Sequence, residues 1–130
     1  MSSNKDILSQ TALEALGCLL ALTLDEQVND YSGNSVSVTP SGLTYTKQKN
    51  GRFAAEFTSG DTLSWSDIGT IGTKICWKDT GSGWEFDDNP TFISSTGVSG
   101  YIGELMNIII FSDTLTTEQK NAFHNATYIE

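Results

Sequence analysis

Two carboxylates at Glu85 and Asp87 flank Phe86, a spacing that sets both acids on one face of a strand. Glycoside hydrolysis needs such a pair, about 5–5.5 Å apart for retention or about 6.5–9.5 Å for inversion. Here Asp88-Asn89-Pro90 ends the strand at once, so the pair reads as acids flanking a turn. His124 is the only histidine, and its sequence neighbourhood holds no second histidine, cysteine or aspartate. That setting suits neither a Ser-His-Asp triad nor a zinc site. Cys18 and Cys76 are the two cysteines. They read as buried core thiols, since a disulfide would need an oxidising compartment that the sequence does not signal. Trp65, Trp77 and Trp84, with Tyr31, Tyr45 and Tyr101, would make a sugar-stacking platform if they shared an exposed surface. Aromatics on strands more often fill a core. Asn125-Ala126-Thr127 is a glycosylation sequon, relevant only in a secretory lumen. No Gly-rich phosphate loop of recognisable spacing is present. The expectation is a protein that is not an enzyme, with no catalytic, cofactor or metal residues.

The elements that would position these residues follow from pattern. Residues 3–16 read as a helix, with Ser3 and Asp6 as an N-cap pair, Ile7, Leu8, Ala12, Ala15 and Leu16 on one side, and Gly17 as its stop. Cys18–Leu24 is a continuous apolar run of strand length, the pattern of a strand covered on both faces. Short strands follow at Val36–Thr39, Leu43–Lys47, Arg52–Phe57, Thr62–Trp65, Lys74–Lys78, Gly83–Phe86 and Thr91–Ser94. Asn50-Gly51 marks a hairpin. The last strand runs from about Tyr101 to Phe111 and is again apolar on both faces at Ile108–Phe111. Thr116 and Gln119 form a capping box for a short helix whose apolar side is Ala122, Phe123 and Ala126. Many short strands at about ten-residue intervals indicate an all-β sandwich or barrel.

Composition sets the remaining bounds. The 130 residues make one domain, with 38% apolar residues and a formal charge of -9. That charge disfavours nucleic acid and anionic membranes as partners. Lys47, Lys49 and Arg52 form the one local basic cluster, read as a solvated turn. No segment is long and apolar enough to span a bilayer, and Ala12–Leu24 does not read as a signal peptide. The expectation is a chain made in the cytoplasm.

Three stretches resemble the laminin-G-like, concanavalin A-type jelly rolls. Leu20–Leu24 followed by Asp30-Tyr-Ser-Gly-Asn34 is similar to the family's first strand and turn. Gly51-Arg-Phe-Ala-Ala-Glu-Phe57 is similar to an inner strand, and Gly100-Tyr-Ile-Gly-Glu104 with Ile110–Glu118 to the closing strand and helix start. The resemblance covers residues 18–126. It implies an all-β, antiparallel two-sheet jelly-roll sandwich over residues 18–130, preceded by a short N-terminal helical arm over residues 1–17 and closed by a short C-terminal helix. It also implies calcium as the ion to consider, with Asp30, Asn34 and Glu104 as oxygen ligands. Gly103 stands where the family carries Asp, and three ligands fall short of the six to eight that calcium takes. The third carboxylate of the family's glucanases is missing, and the Trp65–Gly100 segment is short for the family.

Two functions of different class follow. The first is a structural protein of a bacteriophage virion, such as a capsid decoration or cement protein, binding the major capsid protein or another virion protein and forming a homo-oligomer. Its strongest physical ground is that two doubly apolar strands need cover, by the terminal helices or by another protein. The second is a lectin-like carbohydrate-binding module.

Overall fold

In the computed structural model, residues 10–48 and 51–127 are described. The expected cap at Ser3 and Asp6, the apolar residues Ile7 and Leu8, and Lys49 and Asn50 lie outside them. Two antiparallel sheets pack face to face as an all-β, jelly-roll-like sandwich, with one short helix before the strands and one after them. The chain runs α1 (Gln10–Ala15), β1 (Cys18–Leu22), β2 (Val38–Ser41), β3 (Thr44–Lys47), β4 (Phe53–Phe57), β5 (Thr62–Trp65), β6 (Thr73–Asp79), β7 (Glu85–Asp87), β8 (Ile93–Ser94), β9 (Gly97–Val98), β10 (Gly103–Phe111) and α2 (Thr117–Thr127).

The larger sheet is ordered β3-β4-β10-β6-β7, and β1 also pairs with β10. One edge of β10 is shared between two partners. Its first residues, Gly103–Leu105, lie opposite Phe57–Ala55 of β4. Its last, Ile108–Phe111, lie opposite Leu22–Cys18 of β1. The other edge pairs with β6 along most of its length, with a shift between Met106 and Ile109. The smaller sheet is ordered β2-β5-β9-β8.

The shift is centred on Asn107, which is buried and carries φ 55°. Asn tolerates this left-handed conformation better than most residues. Without it, the alternation of a strand would put residues 105 and 107 on one face and 106 and 108 on the other. Instead Leu105, Ile108 and Ile110 all join the core between the sheets, while Met106, Ile109 and Phe111 face outward. One extra residue thus resets the parity of the strand. The site also holds the seam between β1 and β4. The carbonyl of Thr23 accepts from the backbone N–H of Asn107 at 3.3 Å and from Nη2 of Arg52 at 2.5 Å. Asp25 Oδ1 accepts the N–H of Phe53 at 2.7 Å.

Both faces of β1 and of the second half of β10 are dry, as their continuous apolar runs predict. The inner face packs against Leu63, Trp65, Ile93 and Val98 of the smaller sheet. On the outer face Cys18, Ala21, Ile75, Ile109 and Phe111 are covered by Leu13 of α1, Phe123 of α2 and Leu115 before it. The cover is therefore supplied by the chain itself. Ile102 is the one exposed large hydrophobic side chain among the described residues.

Two of the alanines expected on the apolar sides of the helices, Ala15 and Ala122, do not face the sheet. In α1, Leu13 is buried and Leu16 packs at the margin, while Ala15 is exposed. In α2, Phe123 alone among residues 117–125 is buried and Ala122 is exposed; the side chain of Ala126 lies outside the described ones. Gly17 ends α1 with φ 74°, as a C-terminal stop requires. The capping box of α2 is formed: Gln119 N–H donates to Thr116 Oγ1 at 3.1 Å, and Thr116 N–H donates to Gln119 Oε1 at 2.9 Å.

Several strand bounds move for local reasons. β1 stops at Leu22, before Leu24 takes φ 61°. β2 starts two residues late because Asp30 Oδ2 holds the Val36 N–H at 3.0 Å in the preceding loop. β7 starts after Gly83 because Asp79 Oδ1 holds the N–H groups of Gly81 and Gly83. β9 is a two-residue strand with no signal in the sequence.

Candidate functional site

Glu85 and Asp87 do share a face of β7, as their spacing requires. Lys78 of β6 sits between them, with Nζ 2.9 Å from Asp87 Oδ2 and 3.6 Å from Glu85 Oε1. The side-chain hydrogen bond to Asp87 is the main influence that raises the Lys78 pKa. The lysine gives both acids a cationic partner, so each carboxylate is engaged in an ion pair of the sheet.

The three oxygen ligands do not form a set. Asp30 is saturated by its own loop: Oδ1 accepts the N–H groups of Ala21 and Ser32, and Oδ2 accepts the Ser32 hydroxyl and the Val36 N–H. It builds the Asx-type turn that ties the loop to β1. Asn34 Nδ2 donates to the carbonyls of Cys18 and Leu19. Glu104 accepts from Gln48 Nε2 at 3.3 Å and lies opposite Glu56 and Asp79 across two ladders. Among the described residues, no group of three or more metal-binding side chains converges. Gly103 has a steric reason for not being aspartate. Its φ is 136°, and a Cβ there would meet the Asp79 carbonyl at 2.7 Å and the Tyr101 hydroxyl at 2.9 Å.

The six aromatics are dispersed. Trp65 and Tyr101 are buried in the core between the sheets and Tyr45 packs beside them. The Trp65 indole donates to the Ser95 carbonyl, and the Tyr101 hydroxyl donates to the Glu104 carbonyl. Burial is the main influence raising the Tyr101 pKa. Trp77 is buried on the outer face and Tyr31 packs near the helices. Trp84 is half-buried beside Trp77, its indole donating to Gln48 Oε1 at 3.3 Å. No stacking platform is assembled from these residues.

His124 of α2 stacks on Phe86, with ring centroids 4.7 Å apart and planes within 5°, and meets the edge of Trp77. Its role here is to extend the helix cover over the apolar side chains of Phe86 and Trp77. The two thiols lie on opposite faces of the larger sheet. Cys18 is in the helix-covered cluster and Cys76 in the core between the sheets. Burial pushes the Cys18 thiol up to about 12 and raises that of Cys76 further. Arg52 corrects the reading of a solvated basic turn: it is 8% exposed and donates to the Thr23 carbonyl. Charge alone placed it at the surface. The seam it braces depends on the pairing of β10, which no local pattern shows.

Two pockets among the described residues went unforeseen. One, of about 480 Å³, is lined by Leu19, Asn34, Val36, Ser66, Asp67 and Ile68 with neighbouring serines. The other, of about 390 Å³, lies where β6, the loop after β7 and the approach to α2 meet. Each joins segments far apart in sequence, so spacing carried no signal for either. No helix among the described residues is long and apolar enough to cross a membrane. Compared with known protein families, curated proteins and solved structures, the chain has no significant match.

Proposed function

We propose that this protein is a non-catalytic structural component of a bacteriophage particle, a decoration or cement protein acting through contact with the major capsid protein or another virion protein. One observation supports it most. Each candidate for chemistry read from the sequence is engaged in holding the fold: Glu85 and Asp87 by Lys78, Asp30 by its loop, His124 by stacking, the thiols by burial. The laminin-G-like resemblance and the -9 charge support the same reading. Because the helices cover the outer apolar face, contact with a capsid would use polar surface and would weaken with salt.

The test is to delete the gene, purify particles and compare them with wild-type particles by mass spectrometry and thermal stability. The protein should be present in stoichiometric copies on wild-type particles, and particles lacking it should break at lower temperature. Wild-type particles free of the protein would sink the proposal.

A lectin-like carbohydrate-binding module is the second reading. The pocket at Leu19, Asn34 and Asp67 favours it, since it combines an aliphatic floor with hydroxyl, amide and carboxylate hydrogen-bonding groups. Binding on a glycan array that Ser66→Trp abolishes would support this reading. An array without any binding would remove it.

A further inference from the structure

The second pocket presents an electrostatic anomaly. The chain carries sixteen acidic and seven basic residues. Yet Lys74 of β6, partly buried, has no carboxylate within ion-pair distance among the described residues. Its Nζ donates to the Ile93 carbonyl at 2.6 Å. A partly buried ammonium with only a neutral partner runs against the usual pairing of charges removed from water. Lys74 lines a pocket of about 390 Å³, together with Lys120, Asp88, Asn89 and Thr114. Lys120, in the first turn of α2, reaches only Asp88 at 3.3 Å among the described carboxylates, and that carboxylate is 57% exposed. An exposed pair of this kind is weak and exchangeable. The Asn89 amide and the Thr114 hydroxyl make no side-chain hydrogen bond among the described residues, so both are available to donate.

We propose that this pocket is a binding site for a phosphate-sized oxyanion, free or carried on a small molecule. The two ammonium groups supply charge, and Asn89 and Thr114 supply neutral donors. Asp88 acts as an internal competitor that holds Lys120 when the pocket is empty of anion. The proposal is independent of the virion reading and stands or falls separately from it. In a chain of charge -9, long-range repulsion limits affinity, so binding is expected in the millimolar range and is salt-sensitive.

The test uses the full chain, isotope-labelled, titrated with inorganic phosphate and separately with glycerol 3-phosphate, against chloride at matched ionic strength. Saturable amide shifts are expected at Thr73, Lys74, Asn89, Thr114 and Lys120. Asp88→Asn should tighten binding about two- to fivefold by freeing Lys120. Lys74→Met should abolish saturation, whereas Lys47→Met, away from the pocket, should leave it unchanged. Preference for the ester over free phosphate would identify a small-molecule source, and equal binding would identify the free ion. Shifts reproduced by chloride, or unaffected by Asp88→Asn, overturn the proposal. Asp88 is on the surface, so that variant remains informative even if Lys74→Met fails to fold.

Discussion

At one end of β10 the outward side chains are Ile109 and Phe111, buried beneath Leu13, Leu115 and Phe123. At the other end, on the same face of the same strand, is Glu104, opposite Glu56 on one neighbour and Asp79 on the other. The first end has the dryness of a core, and the second is a row of like charges that no helix covers. Between them lies Asn107, whose left-handed backbone resets the alternation. A sheet face is therefore not one environment. Its character is decided segment by segment, by what the rest of the chain can lay over it.

Inserting an alanine between Ile108 and Ile109 attacks this contrast directly and should have the largest effect. A one-residue slip moves a whole set of side chains to the opposite face. Either Leu105 and Ile108 leave the core or Ile110 does, so the variant should lose native near-UV circular dichroism. Retention of a cooperative melt would show that the alternation does not decide which side chains the core receives.

Phe123→Ala tests the covered end alone. Truncating a fully buried phenylalanine typically costs about 3–5 kcal/mol, measurable by urea unfolding. A cost below about 1 kcal/mol would mean that α2 rests on the sheet without stabilising it.

The thiols compare the helix-covered face with the core between the sheets. Their folded pKa values are raised above the ordinary 9.0. Stability from keeping them neutral is therefore complete below pH 9 and lost as pH rises toward the folded values. Each thiol withdraws about 1.4 kcal/mol per pH unit over that window. Single Cys→Ser variants, unfolded in urea at pH 8 and pH 10.5, should each remove part of the alkaline loss. At pH 8 a disulfide reagent should label neither cysteine in the native protein. Faster labelling of Cys18 than of Cys76 would show that the helices open more readily than the two sheets separate.

The smallest effect is expected at the open end. Glu104→Gln relieves two like-charge oppositions while its amide oxygen can still accept from Gln48. It should raise stability by about 0.2–1 kcal/mol at low salt, less at high salt. Destabilisation would instead point to an attractive role for that carboxylate.

The contrast was half legible in the sequence. Unbroken apolar runs at Cys18–Leu24 and Ile108–Phe111 announced strands covered twice, and Thr116 with Gln119 announced the helix that covers one of them. What covers what depended on pairing between residues some ninety positions apart, which periodicity does not encode. Asn107 sits inside an apolar run, and its residue type was the sole hint of a bulge. Arg52 was read from its charge, although its surroundings come from segments brought together only by the fold. The aromatic set was assembled from residue types alone, and sheet parity sent Trp65 and Trp77 to different faces. The oxygen-ligand set followed from the family resemblance, and the loop before β2 uses Asp30 and Asn34 for its own hydrogen bonds.

The shared edge of β10 also has a consequence in time. β1, β4 and β6 are all synthesised before β10, and β10 is the strand that joins them. Until residues 103–111 emerge, Leu20 has no ladder partner and Ala55 has one only on the β3 side, and their apolar surface stays open to chaperones or to other chains. Assembly of the larger sheet must then close a loop spanning nearly the whole domain, a topology associated with slow folding. The domain is thus expected to fold after translation of β10 and α2, in a late cooperative step, with earlier segments contributing little order of their own.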